Sequence, residues 1–435
     1  MKLTKQPARE VAHEARKLIR PLRAHLRRLL QELIRTNSVA IPPEGNETPA
    51  QCVLKDFLHE FGIRTELYEI GPILARDSRP LFQRRHFSGR KNLSAWIEGR
   101  GTGKSLLLNG HMDTVPPGKS NWSASPWSGH FRNGRVHGLG AFDMKGGLVA
   151  HAAVLCALKR ANLRLGGDLF FESVIDEEWG GGAGTYAALL RGVTADACVI
   201  SEGTQLDIYR ATRGGVIVDL VVEAGDPTAY FSKSEVISPA IPFGRLLGWV
   251  DSWAKRRSSV QTQGAYAGIS DPTPVQVLAV EANRLDPEVP LSVPMRATLR
   301  VYFQFLPNEN IDAIVEEITK SLHSFGAADP FFSKHPIQWK PLLELTLQGH
   351  EVPAEHPWVE CMAKSAADAS GSAPIVTGAP YPCDAGLVQR RFGIPTLLFG
   401  PSGAGAHNPN EYVEFDSVIL AAEAILGAAL TWASA

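Results

Sequence analysis

Short apolar runs alternate with amphipathic stretches through the first half of the chain. Apolar runs bounded by polar or glycine-rich residues are typical of buried strands, whereas apolar residues spaced three and four apart indicate helices. This alternation predicts an α/β domain with a mainly parallel sheet that helices cover on both faces. The predicted strands are 63–70, 92–98, 105–108, 169–175 and 197–200, and the predicted helices are 7–35, 47–62 and 148–160.

The pattern changes near Arg213. From there the predicted order is strand, helix, strand, strand, helix, strand, which is the order of ferredoxin-like domains. We interpret residues 213–345 as an inserted α+β domain, so that residues 1–212 and 346–435 together form the first domain. The elements of the insert are the strands 215–223, 275–280, 297–305 and 337–345 and the helices 243–257 and 309–325; a helix at 358–369 and a strand at 396–399 belong to the first domain.

Composition narrows the class of protein. The chain has 435 residues, 44% of them hydrophobic, with 44 Lys and Arg against 45 Asp and Glu. This length favours two globular domains, and the balanced charge gives no indication of nucleic-acid or membrane binding. No apolar run resembles a signal peptide or a membrane span, and the scattered cysteines predict a reduced, cytoplasmic compartment. These cysteines are Cys52, Cys156, Cys198, Cys361 and Cys383.

Two chemically reactive side chains follow the predicted strand 105–108. His111 comes where the apolar pattern stops, and Asp113 lies two positions further on, before Pro116 ends regular structure. Alternate residues of an extended chain point to the same side, so Asp113 can hydrogen-bond the imidazole of His111 and orient it as a metal ligand. The alternative interpretation of this short motif is a loop histidine that merely has a carboxylate neighbour.

Further acids and a second histidine also follow predicted strands or begin a helix. Such strand ends converge on one crevice in an open parallel sheet. Two imidazoles and several carboxylates suit zinc or a similar ion, and the acids exceed what one tetrahedral ion needs. A carboxylate that bridges two ions, with an activated water between them, is the economical arrangement. The six residues are His111, Asp143, Glu177, Glu178, Glu202 and His407.

The geometry of the adjacent pair Glu177 and Glu178 fits this arrangement. Neighbours on extended chain point in opposite directions, so one carboxylate can bind metal while the other faces the water. A solvated acidic turn is the alternative explanation of this pair.

Five motifs in order carry a family resemblance. The chain resembles the acetylornithine deacetylase, succinyl-diaminopimelate desuccinylase and glutamate carboxypeptidase family of di-metal hydrolases over nearly its whole length. The motifs are Gly-His-Met-Asp-Thr-Val-Pro at 110–116, Gly-Leu-Gly-Ala-Phe-Asp-Met-Lys-Gly-Gly at 138–147, Asp-Glu-Glu at 176–178, Ser-Glu-Gly-Thr at 201–204 and Gly-Pro-Ser-Gly-Ala-Gly-Ala-His-Asn-Pro-Asn-Glu at 400–411.

The resemblance implies a ligand set. Asp143 would bridge two divalent metal ions, with His111 and Glu202 on one ion and Glu178 and His407 on the other. Zinc is the expected metal, with manganese or cobalt as alternatives. The resemblance also implies a cis peptide bond after Asp143 and a homodimer formed through the inserted domain, which would act as a lid.

The resemblance assigns the remaining catalytic roles as well. Asp113 would orient His111, and Glu177 would be the general base that takes a proton from the metal-bridged water and passes it to the leaving nitrogen. The reaction expected of the chain is hydrolysis of a C–N bond, most simply the amide of a small-molecule substrate. Hydrolytic deamination of an activated aromatic amine by the same metals is the alternative. A binding protein with a vestigial site is disfavoured because every metal and base position is filled.

The substrate side departs from the family. Tyr230 stands where members carry a histidine, and Leu291 and Gln304 stand where they carry an Asn and an Arg that hold the substrate carboxylate. Gly403 is a further predicted substrate contact. Unless this weakly patterned region is misaligned, the substrate is not an N-acyl α-amino acid held by its carboxylate, because the bidentate guanidinium is lost. Candidates for a replacement are Arg210, Arg213 and Arg300.

Overall fold

The computed structural model describes residues 8–77, 82, 84–180, 182–223, 238–260, 262–282, 294–342 and 347–434. The chain forms two compact units. The first combines Met1–Thr212 with His350–Ala435, and the second is Arg213–Gly349. The first unit is an α/β layer structure and the second is a smaller α+β structure.

A nine-stranded mixed sheet forms the centre of the first unit. Its four middle strands are parallel, and the strands on both sides of them are mostly antiparallel. The predicted α/β class with a parallel central sheet is therefore confirmed. In spatial order the strands are His350–Glu351, Ile208–Thr212, Thr396–Leu398, Cys198–Ile200, Leu106–His111, Leu169–Val174, Lys91–Ile97 and Thr65–Glu69, and Val376–Gly378 pairs with Ile208–Thr212.

The strand Leu106–His111 lies in the middle of this sheet. It pairs in parallel with Cys198–Ile200 on one side and with Leu169–Val174 on the other, and each of its residues is buried. A strand covered on both faces needs a continuous apolar run, which Leu106, Leu107 and Leu108 supply. The carboxyl end of this strand carries His111.

Helices pack on the sheet of the first unit. The central helix Gly146–Arg160 is buried from Gly146 to Leu158, and together with Phe415–Trp432 it contributes many residues to the core. By length and composition alone the segments Ala141–Arg160 and Phe415–Trp432 could cross a membrane, but 94% and 83% of their apolar windows are buried inside the protein. The other helices are Ala8–Ile19, Arg23–Arg35, Thr48–Glu60, Gly71–Leu74, Ala183–Leu190, Pro357–Ser370 and Ala385–Phe392.

The predicted single helix 7–35 is wrong. Two α-helices, Ala8–Ile19 and Arg23–Arg35, are separated by the 3-10 turn Arg20–Leu22. Pro21 in this turn has no amide hydrogen to donate and its ring clashes with the preceding turn, which explains the break.

A small antiparallel sheet in the first unit was not predicted. It lies partly in the segment 114–140, which has no clear period, and partly in the last motif. Its strands are only two or three residues long, too short to show a hydrophobic alternation. In spatial order they are Gly403–Ala404, Tyr412–Glu414, Arg135–His137 and His130–Arg132. A separate two-stranded hairpin joins Ala40–Ile41 and Glu44–Gly45.

The second unit has the predicted ferredoxin-like order. Alternate residues of its central strand, Val216, Val218, Leu220 and Val222, are buried against two helices. All neighbouring strands of its sheet are antiparallel. In spatial order the strands are Val275–Glu281, Arg296–Phe305, Gly214–Glu223 and Gln338–Pro341, and the helices are Ala240–Ser258 and Ile311–Ala328.

Candidate metal centre and active site

Asp143 stands between the two predicted histidine ligands. It lies in the irregular turn Ala141–Lys145 that precedes the central helix, with non-helical φ and ψ of −118° and 94°. The peptide bond between Asp143 and Met144 is cis, as the resemblance predicts. Its Oδ1 lies 3.2 Å from Nε2 of His111, and its Oδ2 lies 3.1 Å from Nε2 of His407. Each carboxylate oxygen therefore faces one imidazole.

His111 is buried at the end of the central strand, and its other ring nitrogen contacts Asp113. Nδ1 of His111 lies 3.0 Å from the backbone carbonyl oxygen of Asp113 and 3.7 Å from Oδ1 of the Asp113 side chain. Oδ2 of Asp113 accepts a hydrogen bond from the backbone N–H of Glu178 at 3.0 Å. The carbonyl is thus the nearer partner that orients the ring, and the carboxylate also holds the turn that carries the tandem glutamates.

Glu178 and Glu202 lie near different histidines of the cluster. Oε2 of Glu178 is 2.8 Å from Nε2 of His407, and Oε1 of Glu202 is 3.7 Å from Nε2 of His111. Ligand atoms of His111, Asp143 and Glu178 all lie within 4.8 Å of one another. The structure therefore brings the five predicted metal ligands into one cluster, with Asp143 common to both halves.

Glu177 lies beside this cluster. Burial raises the pKa of Glu177 well above its usual value; the charge of His111 opposes this shift, whereas the charges of Asp384, Glu202 and Glu178 add to it. A carboxyl group with a raised pKa, next to a cluster of metal-ligand type, has the properties of a general base that must later release its proton.

The cluster concentrates buried negative charge. Burial raises the pKa of Glu178 to about 7 and also raises the pKa of Glu202. Hydrogen bonds with Asp143 and Glu178 raise the pKa of His407 to about 11. Burial would raise the pKa of Asp143, but hydrogen bonds from His111 and His407 hold it below its usual value.

These residues fit divalent cations. Four carboxylates, those of Asp143, Glu177, Glu178 and Glu202, share the cluster with two imidazoles, and bound positive charge would stabilise the ionised form of such an excess of buried acid. Among the residues that the structure describes, Oδ1 of Asp113 is a buried oxygen without a hydrogen bond. The donor set of imidazole nitrogens and carboxylate oxygens is the one that zinc and related first-row ions prefer.

Asp384 is an acidic residue near the cluster that the sequence did not single out. Asp384 is buried before the helix Ala385–Phe392, and its Oδ2 accepts a hydrogen bond from the hydroxyl of Thr185 at 2.5 Å. Burial raises the pKa of Asp384 to about 7. A lone aspartate after a loop has no spacing signal in the sequence, so only the folded chain shows its proximity to Glu177.

Of the four predicted substrate residues, the structure describes two. Tyr230 and Leu291 lie outside the described residues. Gln304 is buried in the second unit, where its Oε1 accepts a hydrogen bond from Nη1 of Arg213 at 3.4 Å. Gly403 pairs with Val413 in the small sheet of the first unit, and a Cβ there would lie 2.4 Å from the carbonyl oxygen of Tyr412.

The three replacement arginines are engaged within their own units. Nη1 of Arg210 lies 2.6 Å from Oε1 of Glu351, and Nε of Arg300 lies 2.8 Å from Oδ1 of Asp219. Arg213 donates to the carbonyl oxygen of Asp271 and lies over the ring of Tyr266, in addition to its contact with Gln304.

An α/β sheet whose strand ends gather histidines and carboxylates around a shared aspartate is the arrangement expected of a metal-dependent hydrolase. The chain belongs to the peptidase family M20/M25/M40, whose sequence profile matches residues 107–431. It is 25% identical to the N-formyl-4-amino-5-aminomethyl-2-methylpyrimidine deformylase of Halalkalibacterium halodurans, over 95% of this chain and 97% of that protein. It is 26% identical to the acetylornithine deacetylase of Edwardsiella ictaluri, over 74% of this chain and 78% of that protein.

The fold agrees with this membership. The di-peptidase Dug1p from Saccharomyces cerevisiae superposes with a TM-score of 0.74 at 15% identity, over 98% of this chain and 99% of that one. The chain is therefore a hydrolase of amide C–N bonds, as the main prediction states. The alternative of hydrolytic deamination is not favoured by these relatives.

Proposed function

We propose that this enzyme is a di-metal N-acyl hydrolase that cleaves the amide between a small acyl group and an amine. The observation that carries the proposal is Asp143, whose two carboxylate oxygens lie 3.2 Å and 3.1 Å from the imidazoles of His111 and His407. Glu178 and Glu202 complete the two halves of the cluster. This geometry supports the roles that the family resemblance assigns to these residues.

Each half of the cluster would hold one ion. His111 and Glu202 would bind the first, Glu178 and His407 the second, and Asp143 both. When bound, the two ions supply positive charge that polarises the acyl oxygen and lowers the pKa of water. Zinc suits the nitrogen and oxygen donors, and manganese and cobalt are the alternatives.

Glu177 is the side chain to which we assign the proton transfer. Its carboxylate takes a proton from the water that adds to the acyl carbon. When the C–N bond breaks, the same group delivers that proton to the leaving nitrogen, so that an acid and an amine are released. Burial raises the pKa of Glu177 above its usual value, which favours uptake of the proton from water by its carboxylate. Asp113 supports this arrangement by holding the backbone of Glu178.

The substrate amine is proposed to lack an α-carboxylate. By the family resemblance we assign Gln304 to the position of the family's arginine, and its neutral amide oxygen accepts a hydrogen bond from Arg213. The match to the deformylase of Halalkalibacterium halodurans covers 97% of that protein. The substrate in its name is an N-formyl aminomethylpyrimidine, which contains no carboxylate. We therefore propose N-formyl or other small N-acyl derivatives of neutral, aromatic-type amines as the substrate class.

We also propose that the enzyme is a homodimer formed through residues 213–345. These residues would also serve as a lid. The edge strand Val275–Glu281 exposes Val277, Leu278 and Val280 at 43%, 49% and 57%. An apolar sheet edge of this kind is normally covered, and a second copy of the chain is the proposed cover. The five free cysteines support a reduced, cytoplasmic location.

A substrate panel tests the function. Purified enzyme loaded with zinc, manganese or cobalt would be assayed against the N-formyl aminomethylpyrimidine, N-acetylornithine and an N-acetyl derivative of a neutral aromatic amine. We expect metal-dependent release of amine from the neutral substrates and poor turnover of N-acetylornithine. Efficient hydrolysis of N-acetylornithine would overturn the substrate proposal and show that the position of Gln304 was assigned wrongly.

Metal analysis tests the centre independently. We expect two ions per chain by elemental mass spectrometry, and fewer in His407→Ala. Full activity with a single bound ion would contradict the bridging role of Asp143.

A further inference from the structure

A buried carboxylate outside the ligand set contacts the turn that carries Asp143. Glu411 is 1% exposed. Its Oε2 accepts a hydrogen bond from the backbone N–H of Gly140 at 2.7 Å, and its Oε1 accepts from Phe142 at 2.7 Å and from Asp143 at 3.0 Å. One side chain thus binds three amides of a single turn.

These amides need an acceptor from elsewhere in the chain. The first N–H groups of a helical segment have no partners within it, and a buried amide without a partner costs free energy. Gly140 has a φ of +76°, so the chain enters the turn in a left-handed conformation that orients these amides away from the regular helix. A carboxylate is the strongest side-chain acceptor for such a group of donors.

Glu411 is itself fixed in place by its backbone. Its carbonyl oxygen accepts a hydrogen bond from the N–H of Gly138 at 3.0 Å. The next two residues pair with the strand before the turn, Tyr412 with His137 and Val413 with Val136. The strand before the Asp143 turn and the first part of the turn are therefore both attached to the segment that follows His407.

The same short segment supplies a predicted ligand. His407 lies four positions before Glu411, between two strands of the small sheet, Gly403–Ala404 and Tyr412–Glu414. Oδ2 of Asp143 lies 3.1 Å from Nε2 of this histidine. A shift of the turn relative to the segment would change this separation directly.

We propose that Glu411 is a positioning residue for the metal centre, which sets the location of Asp143 relative to His407 through three backbone amides. Glu411 is outside the proposed ligand set, and its Oε1 accepts two N–H groups while its Oε2 accepts one. The inference rests on the proposed di-metal function. It identifies the last residue of the motif at 400–411 as a structural link between the two halves of the ligand set.

Glu411→Gln is the informative variant because it preserves size and shape. A glutamine has one oxygen and one NH2 group, so its NH2 must face at least one of the three N–H donors. The turn then loses a hydrogen bond and gains a donor-to-donor contact, which moves Asp143. Glu411→Asp keeps the charge but shortens the reach by one methylene, so it should be intermediate.

Glu414→Gln is the matched control. Glu414 lies in the same small sheet, but its Oε1 pairs with Nε of Arg135 at 2.9 Å near the surface. The measurement is the affinity for Zn²⁺ by chelator competition, together with the visible spectrum of the Co²⁺-loaded protein. We expect affinity to fall about 10- to 100-fold in Glu411→Gln, as for other residues that orient ligands. The control should remain within about 2- to 3-fold of the wild type on the same scale.

Folding is measured separately by the melting temperature of the metal-free proteins. A purely structural role would lower that temperature in Glu411→Gln while leaving the Zn²⁺ affinity and the Co²⁺ spectrum of the folded protein as in the wild type, and this result would overturn the inference. If Glu411→Gln does not fold, the same comparison is made with Glu411→Asp. Failure of the di-metal function itself would show differently, as a wild-type protein that binds no Zn²⁺.

Discussion

At the scale of single residues, adjacent side chains of the same type have different surroundings. Glu178 contacts His407 at 2.8 Å through Oε2, and its backbone N–H is bound by Asp113. In the part of the chain that the structure describes, the side chain of Glu177 has no hydrogen-bond partner of its own, although it lies beside the same cluster. This difference separates the two proposed roles of ligand and general base.

Substitution of each glutamate by glutamine tests these roles. Glu177→Gln removes the base but no ligand, so we expect kcat to fall about 10²- to 10⁴-fold while both ions remain bound. Glu178→Gln, the matched comparison, should lower metal occupancy as well as rate. The measurements are steady-state kinetics and metal content on the same preparations. Near-normal kcat in Glu177→Gln would place the base elsewhere.

The proximity of the proposed ligands could be predicted from the sequence, because buried strands such as the one ending at His111 are recognisable from their apolar runs and the strand ends of a parallel sheet converge. Asp384 and Glu411 were not predictable as site residues. Their importance comes from contacts with Thr185 and with the amides of Gly140 to Asp143, and no local pattern records such long-range contacts.

At the scale of elements, the start of the central helix touches the end of a neighbouring strand. A Cβ on Gly147 would lie 1.9 Å from the carbonyl oxygen of Ser201, the residue before the proposed ligand Glu202. The backbone of the helix can approach the strand end only because this residue has no side chain. The approach brings the Asp143 turn and Glu202 to the same edge of the sheet.

Gly147→Ala should therefore destabilise the protein. Overpacking of a close backbone contact typically costs about 1–3 kcal/mol, and displacement of Ser201 should also weaken metal binding. Gly248→Ala is the control, since Gly248 lies in the helix Ala240–Ser258 with open space around it. That change should be neutral or stabilise the fold by up to about 1 kcal/mol. Urea denaturation measures both, and equal stabilities would contradict the close contact.

The longer helices and strands could be predicted from the sequence, whereas the shortest strands could not. The strand Leu169–Val174 and the helix Gly146–Arg160 extend over enough residues to show a period. The strands Arg135–His137 and Tyr412–Glu414 do not, and their pairing joins segments far apart in the chain. The break at Pro21 had a signal in the sequence, since proline disrupts a helix interior.

At the scale of the whole molecule, the exposed apolar edge strand of the second unit is the basis of the proposed homodimer. Val280 is 57% exposed on the edge strand Val275–Glu281. Val280→Lys places a charge on this edge, so we expect the solution mass to fall from a dimer toward the 47.2 kDa monomer by light scattering. Ile375→Lys, at an apolar position of the first unit that is 64% exposed, is the control and should not change the mass. A wild-type monomer would contradict the proposed dimer.

The pH dependence of stability involves a histidine in the core of the first unit. His350 is buried, with Nδ1 2.9 Å from the hydroxyl of Thr212 and Nε2 2.9 Å from the carbonyl oxygen of Thr396. Burial lowers the pKa of His350 to about 4. A lowered pKa means that the unfolded chain binds a proton between about pH 6.5 and 4 that the folded chain does not. Stability from this residue is therefore complete above about pH 6.5 and is lost as the pH falls toward 4.

The size of this effect follows from the shift. A pKa lowered from 6.5 to about 4 corresponds to about 3–3.5 kcal/mol. In metal-free protein we expect the free energy of unfolding to fall more steeply between pH 7 and 4.5 in the wild type than in His350→Gln, whose side chain stays neutral and can still hydrogen-bond both threonines. His323→Gln, on an exposed helical surface, should follow the wild type. Urea denaturation across this pH range measures the slopes, and parallel curves for wild type and His350→Gln would show that His350 is not the residue that resists protonation.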